Sequence, residues 1–138
     1  MVVRSRLVMR NESEAMTKVK KFYHASVLVA DTEAAVEFYE KLLGLTPSTQ
    51  RPDLGYPGAW LEIGEQQIHL IELPNPDPVT GRPEHGGRDR HIALAVANIE
   101  ELKTILRRYD VPYTSSRSGR NAVFFRDPDG NAIECTEA

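Results

Sequence analysis

Cysteine is nearly absent: the chain of 138 residues has one, Cys135. An intrachain disulfide is therefore excluded, and a reducing cytoplasm is the compartment this composition favours. Long apolar runs are missing too. None approaches the roughly 20 residues of a membrane span, so no membrane partner is expected. Charge of one sign is scarce: 17 basic against 20 acidic side chains leave a net charge of −3, which gives no reason to expect a nucleic-acid partner. With 41% apolar and 27% charged residues the remainder is ordinary for a globular protein, and the length fits one domain or two small halves sharing a core.

The first 20 residues read differently from the rest. Arg4, Arg6 and Arg10 suit a targeting peptide, but Glu12 and Glu14 oppose one and no long apolar segment follows. Residues 1–20 therefore read as a flexible N-terminal extension, and residues 21–138 as a single domain.

What the domain does contain is a repeat. His24-Ala25-Ser26-Val27-Leu28-Val29-Ala30-Asp31 and His91-Ile92-Ala93-Leu94-Ala95-Val96-Ala97-Asn98 each start with histidine, alternate as a half-buried strand should, and stop at a residue able to cap a helix. The offset is 91 − 24 = 67 residues, about half the chain. Two modules follow, about 21–73 and 90–138, joined by a Pro- and Gly-rich loop, 74–90, long enough to need a purpose as linker or lid.

Within the first module a strand over Phe22–Ala30 leads to Asp31 as N-cap and a helix over Thr32–Leu43. Ala35, Phe38, Tyr39 and Leu42 form its buried stripe, and Gly44 is its stop. Strands over Leu45–Arg51, Ala59–Ile63 and Gln66–Leu73 complete the unit. The second module repeats the order: a strand over His91–Ala97, Asn98 as cap, and a helix over Ile99–Tyr109 with Leu102, Ile105, Leu106 and Tyr109 buried. Glu101 stands where a capping box would place it. Strands over Val111–Ser115, Asn121–Arg126 and Ala132–Thr136 follow, the last two joined by the turn Asp127-Pro128-Asp129-Gly130-Asn131. The expected fold class is α+β: two βαβββ modules whose mixed sheets form an open, barrel-like concave site.

His24 to His69 spans 45 residues and His91 to Glu134 spans 43, so the last strand of each module offers a ligand-type side chain at an equivalent place. Brought face to face, the modules aim His24, His69, His91 and Glu134 at one point. Three imidazoles and a carboxylate suit a divalent transition metal: Zn, Ni, Co, Mn or Fe. Each imidazole then needs an acceptor for its second ring N–H. An octahedral ion would keep two open positions for neighbouring substrate oxygens.

These residues resemble the vicinal oxygen chelate superfamily, which includes glyoxalase I, bleomycin-resistance and fosfomycin-resistance proteins, methylmalonyl-CoA epimerase and extradiol dioxygenases. The matching features are His24 with its strand, Asp31 through Phe38-Tyr39 and Leu43-Gly44-Leu45, His91-Ile92-Ala93, and Arg126 through Asn131 followed by Ile133-Glu134. The resemblance implies metal ligands at His24, His69, His91 and Glu134, a small-molecule substrate and a homodimer. Glyoxalase I enzymes usually carry Glu where this chain has His69, and methylmalonyl-CoA epimerases Gln. Dioxygenases and fosfomycin-resistance enzymes use a two-His, one-Glu set equivalent to His24, His91 and Glu134.

The implied activity is a glyoxalase I-like lyase or isomerase, with Glu134 as catalytic base. The alternatives are an Fe(II) ring-cleaving dioxygenase and a non-catalytic drug- or metabolite-binding resistance protein. His85, off the repeat, reads as a solvated loop residue, and Cys135 as a small buried one. Tyr56, Trp60, Tyr113, Phe125 and Arg126 are candidates to line a substrate pocket.

Overall fold

The computed structural model describes residues 17–138; the extension expected over residues 1–20 lies almost wholly outside them. Two helices and eight strands follow in the order β1 (His24–Leu28), α1 (Thr32–Leu43), β2 (Thr46–Pro47), β3 (Gly58–Ile63), β4 (Gln66–Ile71), β5 (His91–Val96), α2 (Ile99–Arg108), β6 (Tyr113–Ser115), β7 (Ala122–Arg126) and β8 (Ala132–Glu137). They form two four-stranded mixed sheets, β1-β4-β3-β2 and β5-β8-β7-β6, and neither closes into a barrel. In each, the first strand runs parallel to the last and the others are antiparallel. The α+β architecture of two βαβββ modules is thus the observed one.

The helices start as their caps dictate. Asp31 accepts from the Ala34 N–H and Asn98 from the Glu101 N–H, satisfying donors that have no partner inside the helix. Gly44 ends α1 in the left-handed conformation at φ 66°, which a side chain would disfavour. Ala35, Tyr39 and Leu42 of α1 are buried as the spacing requires, with Phe38 packed against them. On α2 the buried residues are Ile99, Leu102 and Leu106; Tyr109, expected in that stripe, is 42% exposed because the helix ends at Arg108. The strand expected over Leu45–Arg51 shrinks to Thr46–Pro47, since proline brings no N–H to a ladder.

One core serves both modules. Val29, Tyr39, Leu61, Ile68 and Leu70 of the first are continuous with Ile99, Leu106, Val123, Phe125 and Ile133 of the second. Among the described residues no strand pairs across the modules. What joins them, besides helix contacts, is the turn after β7. Asp127, only 5% exposed, accepts from the Tyr39 hydroxyl at 2.8 Å. Asn131 Nδ2 donates to the Leu28 carbonyl, and the Ala30 N–H donates to Asp129. Gly130 makes the turn possible: φ is 81°, and a Cβ there would lie 2.6 Å from the Val79 carbonyl oxygen.

Candidate metal centre

Strand alternation decides which side chains face away from the helices. Leu61, Ile68, Phe125 and Ile133 point into the core, so Trp60, His69, Phe124 and Glu134, their neighbours in sequence, take the opposite face. The repeat persists at the level of register. His69 lies beside Ser26, two residues after His24, and Glu134 lies beside Ala93, two residues after His91. Each module therefore sets its histidine and its second ligand-type residue diagonally on adjacent parallel strands.

In the second module the pair is poised for an ion. His91 Nε2 stands 3.8 Å from Glu134 Oε2. His91 Nδ1–H donates to the Asp89 carbonyl at 2.8 Å, which anchors that side of the ring and turns Nε2 toward the carboxylate. This is the acceptor that the sequence did not identify. Glu134 is buried, and its other oxygen, Oε1, accepts from Arg120 Nη2 at 3.0 Å. One oxygen is thus held by a cation while the other is presented to His91.

The first module pairs its residues differently. His69 is the middle ring of a stack, with His24 at 3.8 Å and 9° and Trp60 at 4.5 Å and 8°. Its Nε2 donates to Gln67 Oε1 at 2.8 Å. Burial, the neighbouring His24 and Arg51, in that order, push its pKa below the ordinary histidine value.

His24 is thus brought onto His69, and His91 beside Glu134. The two pairs do not merge: among the described residues no group of three or more His, Cys, Asp or Glu side chains is close enough to hold an ion within one chain. On these faces His24, Ser26, His91, Ala93 and Ala95 are exposed, while His69 is half-buried and Glu134 buried.

The loop 74–90 crosses the second module. Its single 3₁₀ turn, Gly86–Arg88, packs on β7 and β8. Arg82 and Arg126 both bind Asp89, whose carboxyl is held well below the usual range chiefly by Arg82 and then by Arg126, against the effect of burial. His85 is not the solvated residue its loop position suggested. It is 8% exposed, edge-on to Phe124, with Nδ1 hydrogen-bonded to Thr114 Oγ1 at 2.6 Å. Of the expected pocket-lining residues, Phe125 is core and Arg126 is committed to Asp89 and the Pro83 and Gly130 carbonyls.

The profile of the Glyoxalase/Bleomycin resistance protein/Dioxygenase superfamily matches residues 21–135. The chain belongs to that superfamily. Among relatives of this vicinal oxygen chelate protein, Glyoxylase I 4 of Arabidopsis thaliana is 28% identical over 116 residues, covering 80% of this chain and 67% of the relative. Lactoylglutathione lyase of Escherichia coli O157:H7 is 30% identical over 125 residues, covering 85% and 92%. Two solved structures confirm the fold. A glyoxalase-family protein of Bacillus anthracis superposes with TM-score 0.71 at 24% identity, covering 89% of this chain and 98% of its own. A fosfomycin resistance protein of Listeria monocytogenes does so with TM-score 0.69 at 15%, covering 86% and 91%. No described helix is long and apolar enough to cross a membrane.

The metal usual in this superfamily can be tested against the side chains present. His91 and Glu134 fit: the imidazole has one nitrogen tied back and one free, and the carboxylate has one oxygen free toward it. His24 is exposed at the start of β1, an edge strand. His69 does not fit beside it as the rings stand, because parallel stacked imidazoles direct their lone pairs in separate planes.

Proposed function

We propose that this protein is a metal-dependent enzyme of the glyoxalase I kind, acting on a small carbonyl-derived substrate through two neighbouring oxygens. The observation that carries the reading is the His91–Glu134 pair, with Nδ1 anchored on Asp89 and Nε2 facing the carboxylate. A divalent transition metal held by His24, His91 and Glu134 would supply positive charge against oxygens that become negative during reaction. Glu134 would serve as the base once its Oε2 leaves the ion: that oxygen takes a proton from the carbon beside the substrate carbonyl and returns it to the neighbouring carbon. Arg120 keeps that carboxylate aligned through its other oxygen.

Two copies of the chain complete the site in this reading. It is supported by the lack, among the described residues of one chain, of three ligand-type side chains close enough to hold an ion, and by the exposure of His24 and His91. Phe22 and Tyr23, just before β1, are 74% and 70% exposed and supply apolar surface for a homodimer beside His24. His24 of one copy then meets His91 and Glu134 of the other. The test is turnover of hemithioacetals by protein loaded in turn with Ni, Co, Zn or Mn. Activity with at least one ion is expected, and none with any would overturn the assignment.

One observation favours a second reading. With His69 held in its stack, the remaining donors are two histidines and one carboxylate, the set of non-haem Fe(II) oxygenases. Oxygen uptake by Fe(II)-loaded protein with catechols, in the absence of hemithioacetal turnover, would select it.

A further inference from the structure

His69 occupies the position at which the resemblance places a fourth ligand, yet its surroundings give it another task. Three aromatic rings from three adjacent strands lie nearly parallel: Trp60 on β3, His69 on β4 and His24 on β1. Trp60 and His69 are direct partners across the antiparallel pair, so their overlap follows from register. His24 is reached diagonally, since His69 itself lies beside Ser26.

We infer that His69 and Trp60 are positioning residues that fix the plane of the His24 ring, and that His69 is not itself an ion ligand. The inference rests on the metal-centre reading above. The geometry of the stack carries it. An imidazole binds an ion along a lone pair in its own plane, at about 2.0–2.1 Å. With the rings 3.8 Å apart and tilted by only 9°, an ion in the plane of His24 stands off the plane of His69 by most of that separation. Nε2 donates to Gln67 Oε1, so the free lone pair of His69 lies in the plane of its own ring. What remains is Nδ1, the nitrogen nearer the backbone. Ring faces are what His69 offers its neighbours, and a planar face restricts the rotation of His24 as a hydrogen bond restricts that of His91.

A planar ring without a ligating nitrogen should therefore replace His69, whereas a small side chain should not. The test compares Co(II) affinity, measured by competition with a chromophoric chelator, for the wild type, His69→Phe, His69→Ala and His24→Ala. Trp60 is the chain's one tryptophan, so its emission reports the state of the stack in each protein, and thermal melts check folding. His69→Phe is expected to stay within about threefold of the wild type, and His69→Ala to bind about tenfold more weakly, the scale of losing a supporting contact around a ligand. His24→Ala should lose the ion. Co(II) added to the wild type should leave the Trp60–His69 stack in place. Equal loss in the Phe and Ala variants would make His69 a ligand and overturn the inference; no loss in either would remove its positioning role. Should His69→Phe fail to fold, Trp60→Leu substitutes: it leaves every candidate ligand intact, and unchanged Co(II) affinity there would equally overturn the inference. Wild-type protein that takes up no Co(II) would sink the metal-centre reading and this inference together.

Discussion

Asp127 shows how much one carboxylate can hold. Oδ1 accepts from the backbone N–H groups of Asp129 and Asn131; Oδ2 accepts from the Tyr39 hydroxyl and from Asn131 Nδ2. Burial nonetheless pushes its pKa up, and Tyr39 is pushed well up by its own burial and then by Asp127. An amide in that place would turn an NH₂ group toward two donors. Asp127→Asn should therefore destabilise the fold by about 2 kcal/mol, read as a lowered denaturation midpoint; an unchanged midpoint would mean that the turn is not a clamp between modules. Cys135 is the opposite case, a side chain without partners. Burial, and secondarily Glu134, raises its thiol to about 12. It should resist alkylation in the native protein at mildly alkaline pH and react once unfolded. Alternation alone placed Cys135 on the core face. The burial of His85 was not legible, because it depends on a loop folding back over Phe124 with Gly86 and Gly87 leaving room, and no periodicity encodes that.

Helix starts are the elements where the repeat is deeper than its histidines. In the first module the Thr32 N–H donates to Glu72 Oε1 at 2.8 Å, and in the second the Ile99 N–H donates to Glu137 Oε1 at 3.0 Å. In both, an acidic residue at or just past the end of the last strand caps the helix that follows the first. Asp31 and Asn98 were readable as caps because they sit next to their helices; Glu72 and Glu137 were not, being 40 and 38 residues away in sequence. Replacing Glu137 by Gln keeps an acceptor but removes the charge at the positive helix end, so a loss of about 0.5–1 kcal/mol is expected, and about twice that for Ala. Equal values for the two variants would show that the charge contributes nothing.

The strap 74–90 adds a pH dependence at the same scale. In the folded protein Asp89 keeps its charge between Arg82 and Arg126, while in the unfolded chain it titrates near about 3.9. As the pH falls through that value, the unfolded state takes up a proton that the folded state refuses, and stability is lost. Asp89→Asn should flatten the acid limb of a stability–pH profile, and an unaltered slope would remove Asp89 from the explanation.

For the whole molecule, composition, alternation and the 67-residue offset were enough to give two βαβββ modules, because helix and strand periods are local properties of the chain. How the modules meet was not local. It depends on the turn at Asp127–Asn131 reaching Tyr39 and Leu28, and the result keeps the His24–His69 and His91–Glu134 pairs from merging in one chain. In the proposed reading the metal centre is completed by a second copy. Exposed Phe22 and Tyr23 beside β1 are where its contact should be most sensitive, so Tyr23→Asp should shift the protein toward monomer by sedimentation and lower metal occupancy in parallel.

The most direct test is elemental analysis of the full chain purified without added metal, alongside His91→Ala and Glu134→Gln. The wild type should carry about one divalent transition-metal ion per chain, as a site with three protein ligands requires, and both variants should lose it. A wild type without metal, or variants that keep it, would contradict the assignment of His91 and Glu134 as the heart of the site.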